Sequence, residues 1–379
     1  MKNGRKRDRK ERGEGCILTA PPERRIYPAA AVRLARLPDK SGVPIGMAAR
    51  GAPTPHFRIA SLEWLLYVPP FVNREKTWII MSVLIVGSTA LDSITTPTAS
   101  NPRLLGGSAS HAAVAASFFG PVKLVGVVGE DFPKRYLQLY KRHRIDLLGL
   151  QVLPGKTFHW AGEYEANMNN RRTLKTELGV FETFTPALPA AYQTAPFVLL
   201  ANIAPALQHH VLDQMRRPKF VVADTMDLWL KVALPDLLKL IKRLDGFVLN
   251  DSEAQQLTGE DNVFTALKKI HKLGPKHVVI KQGSHGSILS GPRGLFICPA
   301  YPLRKVVDPT GAGDSFVGGM MGYLAAAKGP VDEHIRRAMT YGSVVASFCC
   351  EGFGLQCTTK ITRAQINGRV EELERLTRF

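Results

Sequence analysis

Short apolar runs and amphipathic stretches alternate along the chain from Ser82 onward. Apolar runs that end in glycine or a polar residue predict buried strands, and longer stretches with a helical period predict helices. We predict strands at 82–87, 122–128, 197–200, 220–223, 246–249 and 277–280. We predict the intervening helices at 108–119, 133–144, 206–216, 235–244, 252–259 and 262–273. This alternation is typical of an α/β fold with a mostly parallel central sheet covered on both faces.

The pattern changes after residue 284, where shorter elements follow one another. Two short strands are predicted at 286–290 and 294–298. A helix is predicted at 312–327, directly after a glycine-rich turn. A helix of small residues follows at 331–350, and then a charged terminal helix.

One segment breaks the α/β rhythm. From Lys156 to Phe184 the chain alternates aromatic, polar and charged residues, among them Phe158, Trp160 and Tyr164. This pattern predicts solvent-facing antiparallel strands with a polar turn. Inserted into an α/β domain, such strands could cover a site as a lid, and an ordinary surface hairpin is the alternative.

Residues 1–80 lack any such regularity. They open with a basic run from Lys2 to Arg12 and continue rich in Arg, Ala and Pro. The composition predicts a disordered tail. Alternatively, translation begins at Met81, one residue before the first strand, and residues 1–80 are a non-native extension. The folded domain is predicted to span 81–379 in either case.

The net charge of +18 is concentrated near the start of the chain. Residues 1–80 hold 16 Lys/Arg and 7 Asp/Glu, a net charge of +9 and half of the total. The rest is moderately basic, which suits a protein that handles anionic nucleotides. Basic residues are not interleaved with aromatics, so we expect no nucleic-acid partner. No run of 18 apolar residues occurs, so we expect no membrane span.

Five cysteines occur, at positions 16, 298, 349, 350 and 357. They form neither a CxxC pair nor a Cys/His zinc pattern. A disulfide framework is unexpected at this chain length, and a reducing, cytoplasmic location is the simpler interpretation.

The string over 308–316 reads DPTGAGDSF and places a glycine turn directly before an apolar helix. The first amides of a helix have no partner inside it and lie at the positive end of its dipole, so such a turn can bind an anion. Asp314 falls in the first helical turn, where its carboxylate can take a proton from an attacking hydroxyl. Alignment, charge neutralisation and a base are most of what phosphoryl transfer requires. The alternative for Asp314 is an ordinary helix N-cap.

This string resembles the C-terminal signature of the PfkB, or ribokinase-like, carbohydrate kinases. That signature has the form Asp-Thr-x-Gly-Ala-Gly-Asp-x-Phe, and Pro309 occupies its second place here. The resemblance extends from Ser82 to the C-terminus. It implies a ribokinase-like three-layer α/β/α sandwich with a small β lid, mainly residues 91–105 and 152–184.

The resemblance also implies an activity. It is that of an ATP-dependent phosphotransferase using Mg²⁺, with Asp314 as base and Gly311, Ala312 and Gly313 as the anion hole. The acceptor would be a hydroxyl of a small sugar-like substrate. A catalytically inactive regulatory relative would have lost Asp314 or the glycines, and both are intact.

A second match lies at the start of the helix predicted from residue 108. Gly106 and Gly107 precede this helix, and Asp92 follows the first strand. An ionised carboxylate can accept hydrogen bonds from two neighbouring hydroxyls. The resemblance implies that these residues bind the substrate, with His111 where an Asn is usual in the family and Asn202 as a further contact.

Three further matches concern the nucleotide. The string NDSE over 250–253 resembles the family's Asn-x-x-Glu motif, which implies that Asn250 reaches the phosphates and that Glu253 holds Mg²⁺ through waters. A helix N-cap with a capping box is the alternative for this string. By the same resemblance, ATP-binding residues follow later in the chain, and Asp308 is a candidate ligand for K⁺. These ATP-binding residues are Lys281, Gly283, Gly286 and Gly342.

Two acceptor classes stay open. A free sugar or sugar acid is one, and a nucleoside is the other, because Phe158 and Trp160 could stack on a base. The usual rival phosphate motifs, a Walker loop or a GxGxxG turn after a strand, are absent from the sequence. An exposed edge of the lid could also pair with that of a second copy, which would make a homodimer.

Overall fold

The computed structural model describes residues 81–168 and 171–378. The predictions for residues 1–80 lie outside this part. Within it, no helix has the length and hydropathy needed to cross a bilayer. The four cysteines in this part, at 298, 349, 350 and 357, are free thiols.

The described residues contain thirteen strands and ten α-helices. The strands are β1 (Val83–Val86), β2 (Ala90–Thr96), β3 (Ala99–Gly106), β4 (Val122–Gly129), β5 (Ile145–Leu153), β6 (His159–Tyr164), β7 (Arg171–Glu177), β8 (Phe197–Leu200), β9 (Phe220–Asp224), β10 (Gly246–Asn250), β11 (His277–Lys281), β12 (Ser287–Gly291) and β13 (Gly294–Cys298). The helices are α1 (Ser108–Ser117), α2 (Lys134–Arg142), α3 (Pro205–Gln214), α4 (Asp227–Val232), α5 (Leu234–Ile241), α6 (Asp251–Thr258), α7 (Val263–His271), α8 (Ala312–Ala326), α9 (Val331–Cys350) and α10 (Arg363–Leu376).

Nine strands form the central sheet, in the order β13-β12-β11-β10-β9-β8-β1-β4-β5. Every pairing from β11 to β5 is parallel, and the β11-β12-β13 edge is antiparallel. Successive residues of β1 face opposite sides, and both sides are buried. Helices α1, α8 and α9 cover one face, and α3, α5 and α7 cover the other. The predicted three-layer α/β/α sandwich with a mostly parallel sheet is confirmed.

Strand β5 was absent from the sequence prediction. It lies at the edge of the central sheet and pairs only with β4 in the described part, so its burial is irregular and Leu148 is 68% exposed. An edge strand of this kind lacks the continuous apolar run of a central strand. The segment predicted as lid from residue 152 therefore starts too early, because Val152 and Leu153 still pair with β4.

A separate four-stranded sheet, which we call the lid sheet, has the order β3-β2-β6-β7. Strands β6 and β7 pair antiparallel, as the alternation over 156–184 predicted. Strands β2 and β3 form a second antiparallel hairpin. The two hairpins join through parallel pairing of β2 with β6, which the sequence pattern did not indicate.

Helices α1 and α8 pack closely because both carry small residues at their contact. A Cβ atom at Gly318 would lie 2.3 Å from the carbonyl oxygen of Ala112. A Cβ atom at Gly322 would lie 2.7 Å from the Cα of Ala116. The two backbones therefore touch, which brings the glycine pair before α1 close to the glycine turn before α8.

Candidate active site

The turn before α8 has the backbone of an anion-binding site. Gly311 has φ +76°, a left-handed conformation that glycine adopts without strain. A Cβ atom there would lie 2.3 Å from the ring of His111, so a side chain is also excluded sterically. Among the described residues, the amides of Gly313 and Asp314 have no backbone acceptor. They begin a 15-residue helix, where its dipole favours negative charge.

A buried carboxylate holds this turn in place. Asp308 is fully buried, and its Oδ1 accepts the Thr310 amide at 2.8 Å while its Oδ2 accepts the Gly354 amide at 2.9 Å. Burial raises the pKa of Asp308, and these amides oppose the rise. The hydroxyl of Thr310 donates to the hydroxyl of Tyr164 in β6 at 3.1 Å. The turn is thus tied both to the loop after α9 and to the lid sheet.

Asp314 lies in the first turn of α8, partly accessible but largely surrounded by protein. That desolvation raises its pKa to about 7, and the nearby negative charge of Asp224 adds to the rise. The positive charges of Lys281 and Arg171 oppose it. A carboxylate that titrates near neutrality is matched to accepting a proton at physiological pH.

Asp92 of β2 lies beside the glycine pair with which the family resemblance grouped it. A Cβ atom at Gly106 would lie 1.9 Å from its Oδ2, and the Gly107 amide donates to its carboxylate. Burial, together with the negative charges of Asp308 and Asp314, raises the pKa of Asp92 to about 7. The fold therefore brings the predicted substrate residues and the predicted base to one place.

His111 lies beneath the Gly311 turn and is 1% exposed. Burial lowers its pKa to about 4, so the imidazole is neutral at physiological pH. Its Nδ1 lies 3.7 Å from the Sγ of Cys349. Its buried Nε2 has no partner in the described part of the chain. The packing assigns His111 a supporting position under the anion site, and its predicted contact with substrate stays a prediction.

Asn202 follows β8, but its side-chain amide is already engaged. Its Oδ1 accepts the indole N–H of Trp229 at 2.7 Å, and its Nδ2 donates to the Sδ of Met226 at 3.0 Å. One N–H and one lone pair of the amide remain for a substrate, so its predicted contact stays a prediction.

The motif after β10 forms a capping box at the start of α6. The Asn250 side chain accepts the Glu253 amide at 2.8 Å, and the Glu253 carboxylate accepts the Asn250 amide at 2.7 Å. This is the alternative interpretation of the sequence. Burial raises the pKa of Glu253 to about 7; the positive charge of Lys281 opposes this rise, and Asp224 adds to it. The carboxylate thus belongs to the same charged cluster as the anion turn.

Sequence reasoning missed Asp224, at the end of β9. Both of its carboxylate oxygens accept the Nζ of Lys281, at 2.9 and 3.0 Å, and the two side chains are 6% and 17% exposed. Burial alone would lower the pKa of Lys281, but Asp224 and Glu253 raise it above its ordinary value. The Nζ lies 3.2 Å from the position of a Cβ at Gly313, so a fixed positive charge stands beside the anion turn. A carboxylate directly after a buried strand was the signal that could have found it.

Arg171 of the lid sheet was also missed, because it adjoins a run of polar residues that reads as a turn. Its Cζ lies 5.6 Å from the ring centroid of Trp160, and its guanidinium hydrogen-bonds the hydroxyl of Tyr164. Phe158, which we expected to be available for stacking on a base, instead stacks on Phe181 at 5.4 Å.

The predicted ATP-binding glycines occupy different environments. Gly283 has φ +55°, and a Cβ there would meet no atom within 4 Å, so the position is open. A Cβ at Gly286 would lie 2.1 Å from the carbonyl oxygen of Cys298. A Cβ at Gly342 would lie 2.5 Å from the carbonyl oxygen of Phe316, in the buried interface of α8 and α9. Gly342 therefore permits helix packing, and a direct nucleotide contact there stays a prediction.

Comparison with known proteins gives concordant matches. The family model for pfkB family carbohydrate kinases matches residues 87–361. A cytidine kinase of Thermococcus kodakarensis is 30% identical over 265 residues, which cover 68% of this chain and 93% of that protein. The solved nucleoside kinase of Methanocaldococcus jannaschii has a TM-score of 0.63 at 22% identity, over 77% of this chain and 98% of that one. Arabidopsis thaliana ribokinase, solved with ribose and ATP, has a TM-score of 0.63 at 20% identity, over 77% and 99%.

Proposed function

Since this chain belongs to the pfkB family of carbohydrate kinases and is an ATP-dependent kinase of that family, we propose that it phosphorylates a hydroxyl of a small sugar or nucleoside at this site. The observation that carries the proposal is that the charges of Asp92 and Asp314 act on each other beside the amides of Gly313 and Asp314, which have no backbone acceptor among the described residues. One carboxylate is suited to bind hydroxyls, and the other is suited to take a proton.

The reaction assigns a role to each group. Asp92 accepts hydrogen bonds from the acceptor's hydroxyls and orients the one that reacts. Asp314 takes the proton of that hydroxyl as its oxygen forms a bond to the γ-phosphorus. The bond from phosphorus to the bridging oxygen breaks, and its electron pair leaves with ADP. The amides of Gly313 and Asp314 and the ammonium of Lys281 stabilise the negative oxygens during transfer.

The residues present fit ATP and Mg²⁺. The anion turn and Lys281 match the phosphates in charge, and the open Gly283 leaves room for the nucleotide. Bound Mg²⁺ supplies charge neutralisation on phosphate oxygens. Glu253 would hold it through waters, since this ion keeps several, while its Oε2 continues to cap the Asn250 amide.

Replacing Glu253 tests the magnesium role. Glu253→Gln keeps a carbonyl oxygen that can cap α6 but removes the charge. We expect the Mg²⁺ concentration for half-maximal activity to rise by roughly 10-fold, the usual effect of an outer-sphere ligand. The measurement is a Mg²⁺ titration at saturating ATP, with the exposed neighbour Asp251→Asn as control. An unchanged titration of the Glu253 variant would contradict the role.

At the predicted K⁺ site, both oxygens of the Asp308 carboxylate already accept backbone amides. We keep it as a prediction. Equal turnover in K⁺ and in a bulky organic cation at matched ionic strength would rule it out.

The acceptor class is tested by ADP release with Mg-ATP over pentoses, hexoses, sugar acids and nucleosides. We expect turnover with at least one class. Absence of acceptor-dependent ADP release across all classes, from a protein that binds ATP, would overturn the proposed function.

A nucleoside acceptor is favoured by the position of Trp160. This residue pairs in register with Asp92 across β2 and β6, and its indole covers Gly162, where a Cβ would be 2.1 Å from the nearest ring atom. A flat, partly exposed indole beside the hydroxyl-binding carboxylate is a surface on which a base can stack.

Trp160→Ala separates the two acceptor classes. Stacking of a base on an aromatic ring contributes about 1–3 kcal/mol, so KM for a nucleoside should rise by roughly 5- to 100-fold. KM for a free pentose should stay within about twofold of wild type, since a pentose has no base to stack. Steady-state kinetics with matched nucleoside and pentose acceptors measures this. Equal losses for both acceptors would indicate a structural role of Trp160 alone.

A further inference from the structure

Strand β7 carries two consecutive arginines that have different environments. Side chains of neighbouring strand residues point to opposite faces. Arg172 forms an ion pair with Glu163 at 2.7 Å, with both side chains substantially exposed. Arg171 lies in register with Tyr164 of β6, contacts its hydroxyl, and lies over the Trp160 ring.

The face that carries Arg171 is the one that meets the anion turn. Directly opposed residues of an antiparallel pair share a face, so Arg171 and Tyr164 point the same way. The Tyr164 hydroxyl accepts a hydrogen bond from Thr310, the residue before Gly311. One chain of contacts therefore runs from the Arg171 guanidinium to the turn.

The charge of Arg171 also acts on both Asp92, the proposed acceptor-binding residue, and Asp314, the proposed base. Its positive charge lowers the pKa of Asp92 and of Asp314, opposing the effect of burial on each. These carboxylates flank the point where the acceptor hydroxyl meets the phosphoryl group. The guanidinium is therefore close enough to both carboxylates for its charge to act on each.

Negative charges surround the place where the phosphoryl group is transferred, so a cation there would be stabilising. Asp92, Asp308 and Asp314 are carboxylates, and a transferring phosphoryl group adds further negative charge. Lys281 supplies one positive charge beside the turn, but it shares that charge with Asp224 in their ion pair. In the ranges that the structure describes, no ion pair engages Arg171. A planar guanidinium with five N–H donors is well matched to phosphoryl oxygens.

We propose that Arg171 is a further catalytic residue, supplied by the lid sheet, whose guanidinium binds the nonbridging oxygens of the phosphoryl group as it moves from ATP to the acceptor. The inference rests on the proposed kinase function. The bonds that form and break are those of that reaction, and the proton still goes to Asp314. Arg171 adds positive charge at the transferring group, and Tyr164 positions it.

The test replaces Arg171 by Met, which keeps most of the length and removes the charge. We expect kcat to fall by roughly 10²–10³-fold, as for removal of one strong donor to a transition-state oxygen. KM for the acceptor should change by less than about threefold, because the interaction develops during transfer. Arg172→Met on the other face of the same strand is the matched control and should retain kcat within about twofold.

A second measurement does not depend on turnover. Binding of ADP, Mg²⁺ and aluminium fluoride, a planar mimic of the transferring phosphoryl group, should weaken in Arg171→Met by roughly the factor lost from kcat. Binding of ATP itself should change little. A folding defect would weaken both equally.

The outcomes separate the two proposals. An unchanged kcat in Arg171→Met would overturn this catalytic role. If the acceptor KM rose at that unchanged kcat, Arg171 would bind the acceptor instead. If the wild-type protein transfers phosphate to no acceptor, the proposed function fails first and this inference with it. Turnover by wild type and Arg172→Met, with loss in Arg171→Met, supports both.

Discussion

Asp314→Asn is expected to lower kcat by roughly 10²–10⁴-fold while leaving ATP affinity nearly unchanged, the usual loss when a general base is removed. Asparagine has almost the same shape but cannot take the proton of the acceptor hydroxyl. The backbone amides of the turn should still bind phosphate, because Gly311 and Gly313 are untouched. Measured kcat and KM for ATP, with saturating acceptor, check the expectation.

The control is another aspartate in the first turn of a helix. Asp236 occupies that position in α5; its side chain is half exposed and pairs with Lys239. Asp236→Asn should retain wild-type kcat, because it makes the same chemical change away from the cleft. Near-normal turnover in Asp314→Asn would contradict the assignment of the base.

The pH dependence of activity follows from the same residue. Burial raises the pKa of Asp314 to about 7, and the base must be deprotonated to act. Activity of the wild-type protein should therefore fall as the pH decreases below about 7. A pH–rate profile that is flat down to pH 5 would show that the group limiting activity titrates lower.

Asp314 also links stability to pH. Its folded-state pKa of about 7 lies above the ordinary 3.8, so the folded protein binds this proton more tightly than the unfolded chain does. The resulting stability is fully present below 3.8 and is lost as the pH rises through 7. The Tm of Asp314→Asn minus the Tm of wild type should therefore be larger at pH 8 than at pH 5. An equal difference at both pH values would contradict the raised pKa.

The central strands could be predicted from sequence because burial on both faces leaves a continuous apolar run, as in VLIV of β1 and FVLL of β8. The edge strand β5 left no such run, since part of it faces solvent. Parallel pairing of β2 with β6 joins segments more than 60 residues apart. Such pairing depends on the three-dimensional path and leaves no local pattern.

The candidate site, like the fold, could be predicted from sequence only in part. The turn over 308–314 was predictable because a glycine turn that opens directly into a helix determines both the amide donors and the place of Asp314. The ion pair of Lys281 with Asp224 was not, because its partners are 57 residues apart. Arg171 gains its position from Tyr164 and from the lid sheet, so its strand alone does not distinguish it from Arg172. For Asn250 and Glu253 the sequence allowed two interpretations, and the capping box is the one that the geometry shows.

Lys281→Met should have the second large effect, on both stability and turnover. Removing one partner of a buried ion pair leaves Asp224 charged and unpaired, which costs about 3–5 kcal/mol. The anion turn also loses its neighbouring positive charge, so kcat/KM for ATP should fall by roughly 10²-fold or more. Denaturant unfolding measures the first effect, and steady-state kinetics measures the second.

The double variant Asp224→Asn with Lys281→Met distinguishes these two effects. It leaves no unpaired charge, so the free energy of unfolding should return most of the way to the wild-type value. Turnover should stay low, because the cation beside Gly313 is still missing. If the double variant regained both stability and turnover, the pair would be purely structural, and the phosphate would be stabilised without Lys281. Recovery of stability alone would show that Asp224 serves to hold a catalytic cation in place.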